Sequence, residues 1–267
     1  LQSPTALIGV AEKGYLSVVL KTSATPGHSS MPQPKGSSAI AMMSAALQRI
    51  DDKQLPGAIR GVAGEMFATI APEMSGFSRV VLSNLWLFGP LVQKQLEASA
   101  STNAMLRTTT ALTMAHAGNK ENVLPGQAEA TVNFRLLPGD TRDQVVERTR
   151  ALVADATHNG KFELHALPGG AEASKVAPTD SAQYALINRT VREVFPGTLV
   201  APGLMIGGSD SIHFGDISDH IFKFSPVRAG PQDLSRFHGT NERIAVSNLA
   251  ELIRFYHRLL TQGAKAS

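Results

Sequence analysis

Cysteine is absent from all 267 residues, which rules out a disulfide framework and a thiolate metal site and leaves His, Asp and Glu to hold any metal ion. Aromatic residues make up only 6% of the chain, too few and too scattered for a platform that stacks single-stranded nucleic acid. Charge of one sign is scarce as well. There are 25 Lys and Arg against 22 Asp and Glu, so the formal charge of +3 and the isoelectric point near 9.3 describe a mildly basic protein without a basic tract. No nucleic-acid partner is expected. Long apolar runs are missing too: the longest, residues 80–92, contains Ser83, Asn84 and Pro90 and is shorter than the roughly 20 residues that span a bilayer. It reads as a buried helix, and no membrane segment is expected. The chain opens at Leu1 and runs straight into the apolar stretch 6–10, with neither an initiator Met nor a signal-peptide pattern. Its natural N-terminus is expected to lie elsewhere, which leaves the compartment undecided.

What is present is the balance of a globular protein, 43% hydrophobic and 18% charged, long enough for one large domain or two medium ones. Residues 15–22 are rich in β-branched and aromatic residues and read as a strand, and 37–51 carry apolar residues at helical spacing behind Pro34 and Gly36. Residues 56–99 read as an insertion of two helical stretches broken around Pro72 and Ser75-Gly76. A Thr-rich strand over 107–114 precedes a strand of strict alternation over 128–136, with Ala128, Ala130, Val132, Phe134 and Leu136 on one face and polar residues on the other. Pro138 to Thr141 then supply a turn and an N-cap for a helix over 145–153, and 161–167 close with a strand. The order β-α-(insertion)-β-β-α-β is the split βαβ, ferredoxin-like pattern, whose sheet leaves one face free for a partner. Beyond a Gly-rich linker at 169–174 comes different α/β material, with helices over 181–194 and 246–260 and short strands near 199 and over 221–224. So few strands cannot bury both faces of a parallel sheet. This second unit reads as part of a larger domain, its strands from Leu7 and from residue 199 lacking sheet neighbours.

Four segments carry groups suited to chemistry. His28 sits in Thr25-Pro26-Gly27-His28-Ser29-Ser30, a loop position where it is either a catalytic candidate or a solvated histidine without a role. Asn122, in Lys120-Glu121-Asn122-Val123-Leu124-Pro125, and Arg135, on the polar face of the following strand, would together suit a carboxylate, since guanidinium offers a bidentate fork and the amide an extra donor. The alternative is a turn Asn and a solvated strand Arg. Gly207-Gly208-Ser209-Asp210-Ser211 is not a nucleophile elbow, because Ser211 stands where that motif needs Gly; Gly207 and Gly208 instead allow backbone amides to approach a ligand. His238, in Phe237-His238-Gly239-Thr240-Asn241-Glu242, is a possible zinc ligand, but one histidine is not a metal site. No role is assigned to His116, His158, His165, His213, His220 or His257.

In these four segments, taken together and in this order, the chain resembles the zinc metallopeptidase and amidohydrolase family that includes carboxypeptidase S, aminoacylase and carnosinase, and is most similar to carboxypeptidase S. The resemblance implies residues 1–11 as the end of a catalytic-domain segment, 12–170 as a ferredoxin-like lid and dimerisation domain with its helical insertion at about 56–99, and 171–267 as the C-terminal part of an α/β zinc-peptidase catalytic domain. It implies two zinc ions in the parent protein, with His238 a ligand, His28 an oxyanion donor reaching into the partner subunit's site, Asn122 and Arg135 on the substrate's carboxylate, and Gly207 and Gly208 lining the pocket. The substrate would be a small peptide or N-acyl amino acid, and the assembly a homodimer through the lid. The family's His-x-Asp motif, bridging Asp and Glu-Glu pair are absent, so this chain is expected to be a truncated and inactive piece of the enzyme; the alternative is a non-catalytic dimerising or small-ligand-binding module.

Overall fold

A computed structural model of the chain describes residues 4–156, 161–230, 232–233 and 236–266. His158 lies outside these residues. Along the chain run β1 (Thr5–Glu12), β2 (Gly14–Ser23), β3 (Gly27–His28), α1 (Ala39–Asp52), α2 (Gly61–Ile70), α3 (Gly76–Ser83), α4 (Leu85–Glu97), α5 (Ala100–Leu106), β4 (Thr109–Ala117), β5 (Val123–Leu124), β6 (Gln127–Leu136), α6 (Arg142–Ala156), β7 (Phe162–Ala166), α7 (Ala182–Val194), β8 (Leu199–Met205) and α8 (Val246–Ala266).

The unit expected to be a lid is a four-stranded sheet in the order β4-β6-β2-β7, every neighbouring pair antiparallel, which is the ferredoxin-like topology its element order predicts. Alternation along β6 decides which face is covered. Ala128, Ala130, Val132, Phe134 and Leu136 are all buried, and they meet Met43 and Ile50 of α1 and Val145 and Val153 of α6. Local chemistry sets the helix starts: Ser38 Oγ accepts from Ala41 N, and Thr141 and Gln144 form a reciprocal capping box, each side chain bonding the other's main-chain amide. β4 has a sheet neighbour, β6, on one side only, and among the described residues its other edge meets no strand.

The second unit is built on β1 and β8, which pair in parallel from Thr5↔Leu199 to Glu12↔Met205. The expectation that these strands lack neighbours is corrected here, because they serve each other. Ile8, Val10 and Val200 pack with Val191 and Phe195 around α7 and with Phe255 of α8. The strand expected over 221–224 reduces to a single bridge in which Gly9 and Lys223 exchange main-chain hydrogen bonds of 2.8 Å each. A Cβ on Gly9 would lie 3.0 Å from that of Lys223, so glycine permits this approach.

Between the sheets the chain crosses twice, at 12–14 and at 171–174, and the crossings are bonded side by side: Tyr15 N donates to Ala171 O at 2.8 Å and Ser174 N to Glu12 O at 3.0 Å. The helical excursion departs most from expectation. Over 56–99 three helices and a 3-10 turn at Ala71–Glu73 replace the two stretches expected, α5 follows beyond them, and residues 80–92 are not one buried helix. Asn84, at φ −125° and ψ 46°, divides α3 from α4, and neither helix has a buried side chain; Trp86 is 81% and Phe77 76% exposed. Hydrophobicity states what a segment would bury, not whether the rest of the chain supplies a surface for it. α2 does find one, placing Met66 and Ile70 against Ala201 of β8.

Candidate functional site

Five of the six candidate residues fall into two groups, at opposite ends of the four-stranded sheet, and His238 stands apart from both. At the tip, β3 and β5 pair as a short ladder, Gly27 opposite Leu124 and His28 opposite Val123. Ser29 N donates to Asn122 O at 3.1 Å, so the loops carrying His28 and Asn122 are bonded to each other, and both residues are exposed. Ser30 N donates to His28 Nδ1 at 3.2 Å, with Ser30 Oγ 2.8 Å from the same nitrogen. An Nδ1 that accepts a hydrogen bond leaves the proton of the neutral ring on Nε2, which is thereby a free donor.

At the root, Arg135 stacks over the Tyr15 ring, its Cζ 4.7 Å from the centroid. β2 pairs with β6 from Gly14↔Leu136 to Ser23↔Gln127, so Arg135 stands eight residues from the tip end of β6, about 26 Å at the rise of an antiparallel strand. Within one chain Asn122 and Arg135 therefore do not grip one carboxylate together. Register separates them, which spacing along the sequence does not reveal. Gly207 and Gly208 follow β8 at this same root, Gly208 placed so that a Cβ would lie 3.8 Å from Glu12 Oε1.

Two root residues escaped the motif search. Glu12, buried at 5% exposure, accepts hydrogen bonds from Ser209 and Ser211. Lys13 lies between β1 and β2, and its Nζ donates to the carbonyls of Ala104 and Arg107, partners other than those of Glu12. Burial, helped by the Arg135 charge and opposed by Asp140, lowers the Lys13 pKa to about 8. The available signal was a charged pair directly ahead of Gly14, where an exposed strand would not place a glycine without cause.

His238 lies in the loop ahead of α8 with φ 55°, and Asn241 follows at φ 60°, the left-handed region that non-glycine residues seldom enter. Its main-chain N donates to Glu242 Oε1 at 3.3 Å, which closes the loop on itself. Among the described residues no group of three or more His, Asp or Glu is arranged to hold a metal ion. The described residues do not make a zinc site by themselves.

The sheet order and the helix-covered face give residues 14–166 a ferredoxin-like architecture, and β1 and β8 build a second α/β unit beside it. Residues 10–161 match the model of the peptidase dimerisation domain, and the chain belongs to the M20 peptidase family. It is 38% identical over 97% of its length to N-fatty-acyl-amino acid synthase/hydrolase PM20D1 of Xenopus tropicalis, and 33% identical over 99% to probable carboxypeptidase S-like 2 of Dictyostelium discoideum. In both cases the match covers 50% of the relative, so the chain spans about half the length of the curated relatives it matches. In fold it is similar to an M20 metallo-carboxypeptidase from Sulfolobus solfataricus (TM-score 0.63, 17% identity, 96% of this chain and 60% of that one) and to human carnosine dipeptidase 1 (TM-score 0.60, 15% identity, 96% and 56%).

Proposed function

We propose that this chain carries the substrate-gripping groups of a zinc-dependent hydrolase that cleaves the amide bond of an N-acyl amino acid, in a site assembled from two copies of the chain. The observation that carries this is the separation of His28 and Asn122 from Arg135 and Gly207-Gly208 by the length of the lid sheet. No one chain brings both groups to one small substrate, whereas an isologous dimer lets the tip of each copy meet the root of the other. The free edge of β4, within the segment matching the dimerisation domain, is the natural seam for such a homodimer, since an unpaired strand edge invites another strand.

In this arrangement Arg135 and the partner's Asn122 hold the free carboxylate, and the Nε2–H of the partner's His28 donates to the oxyanion as the carbonyl is attacked, an effect worth about 3 kcal/mol. The chain offers His238 as one zinc ligand. The remaining ligands belong, on this reading, to the half of such a protein that this chain does not match, and no step is assigned to the metal here. An acyl amino acid is favoured over a dipeptide by the apolar surface of α3 and α4, where Phe77, Trp86, Leu87 and Leu91 stand exposed. The relatives named as acting on N-fatty-acyl amino acids support the same choice. The lack of a metal-holding group among the described residues favours a second possibility, a non-catalytic dimerising or small-ligand-binding module.

Zinc-dependent hydrolysis of N-acetyl and long-chain N-acyl amino acids and of dipeptides decides between the two, compared for this chain and for a version extended at its N-terminus. Cleavage by the extended protein that disappears in His28→Ala and in His238→Ala is the expected result. A folded, zinc-loaded extended protein that cleaves none of them would leave the module.

A further inference from the structure

Glu12 ends β1 with its carboxylate turned into the loop that follows β8. Its Oε1 accepts from Ser209 N at 2.8 Å, and its Oε2 accepts from Ser209 Oγ at 2.5 Å and from Ser211 Oγ at 2.9 Å. The post on which this carboxylate stands is itself fixed. Glu12 N donates to Ser174 Oγ at 2.8 Å, Ser174 N returns a bond to Glu12 O at 3.0 Å, and the next amide, Lys13 N, donates to Met205 O at 3.0 Å. Both domain crossings and the end of β8 thus converge on one residue. Gly207 and Gly208, directly ahead of Ser209, carry no side chain, and a Cβ on Gly207 would meet nothing within 4 Å. Bare backbone therefore faces open space on one side while the following residue is held on the other.

We infer that Glu12 is the positioning residue of the Gly207–Ser211 loop: its buried carboxylate fixes the path of the two glycine amides so that they meet a bound substrate in one orientation. This rests on the proposal that the loop lines the substrate pocket. A carboxylate suits the task because it accepts from all three donors at once without offering one of its own. Gln at the same place keeps the shape but gives up one acceptor oxygen. Ala leaves the Ser209 amide without this partner in a partly buried setting, where a lone donor is costly. Glu12 touches no substrate in this scheme and acts only through the loop, so orientation is what its loss disturbs. Misplacement by about 1 Å can cost on the order of 100-fold in rate.

Two measurements test it. Amide hydrogen exchange on this chain is expected to show Ser209 and its neighbours exchanging about tenfold faster in Glu12→Ala, less so in Glu12→Gln, with α7 and the lid sheet unchanged. In the extended, zinc-loaded protein, Glu12→Ala should raise KM for an N-acyl amino acid and lower kcat/KM by about 10- to 100-fold, with Glu12→Gln recovering part of the loss. Unchanged exchange at Ser209, or faster exchange spread equally over β1, α7 and α8, would overturn the positioning role. Local loosening in a protein that cleaves no acyl amino acid would uphold Glu12 as the holder of the loop while removing the substrate reading. Should Glu12→Ala not fold, Glu12→Gln and the Ser209→Ala, Ser211→Ala double variant carry both measurements, and exchange at wild-type rates in both would overturn the role.

Discussion

Lys13 Nζ donates to the carbonyl oxygen of Arg107 at 2.8 Å, and the same ammonium reaches Ala104 O at 2.9 Å and Thr109 Oγ1 at 3.4 Å. One buried cation thus closes the helical excursion where the chain returns to the sheet.

The pH dependence of folding should carry its signature. Burial first, then the nearby Arg135 charge, lowers the folded-state pKa from 10.5 to about 8. Between those values the unfolded chain still binds a proton that the folded chain has released, so the contribution of Lys13 to stability rises with pH from about 8 to 10.5. Wild type is expected to gain stability over this window relative to Lys13→Met. Urea midpoints of the two proteins at pH 7.5, 9 and 10.5 check it, and parallel curves would show that Lys13 titrates as an ordinary lysine.

Gly14 and Gly64 should respond oppositely to Ala. At Gly14 a Cβ would lie 2.6 Å from Ala173 N and 2.7 Å from Ala171 O, both backbone atoms of the second crossing, which cannot move aside as a flexible side chain would. Gly14→Ala is expected to destabilise by about 1–3 kcal/mol. At Gly64, inside α2, a Cβ would make only an ordinary contact, 3.7 Å from Ile59 O, and Gly64→Ala should stabilise by up to about 1 kcal/mol through helix propensity. Denaturant unfolding of the two variants makes the comparison.

The contrast between these sites follows what a sequence can and cannot convey. Alternation from Ala128 to Leu136 and the turn and cap at Pro138 to Thr141 are local signals, and the strand and helix they announce are where they should be. His28, Asn122, Arg135 and the glycine pair stand in motifs that family likeness brings out. Their separation into tip and root depends on the register of β2 against β6, a long-range property with no trace in spacing. Glu12 and Lys13 are invisible for the same reason: each bonds partners about 90 to 200 residues away, and only the fold makes them neighbours. Apolarity around Trp86 was legible, but its exposure was not.

That exposure allows the apolar helices to be tested without harm to the fold. Phe77 and Trp86 are largely exposed, so changing both to Ser should alter stability by no more than about 0.5 kcal/mol. If the surface receives an acyl chain, the same variant in the extended, zinc-loaded protein loses kcat/KM toward long-chain N-acyl amino acids while that toward N-acetyl amino acids holds. Equal loss on both substrates would mean that α3 and α4 do not read the chain.

A site shared between copies makes a sharper demand. His28→Ala damages the tip of a chain and leaves its root intact, whereas Arg135→Ala does the reverse. Each homodimer alone then lacks one essential group in both of its sites. In a mixed dimer the intact root of the His28→Ala copy meets the intact tip of the Arg135→Ala copy, which restores one site of two. Complete exchange in an equimolar mixture gives mixed dimers half the time, so roughly a quarter of wild-type activity should return, as the statistics of an isologous dimer require. Mixing the extended, zinc-loaded variants after mild denaturation, and assaying N-acyl amino acid hydrolysis before and after, reads this directly. Activity that stays at the level of the separate variants would mean that His28 and Arg135 act within the same chain or not at all, against the 26 Å or so that the strand geometry puts between Arg135 and the tip end of β6.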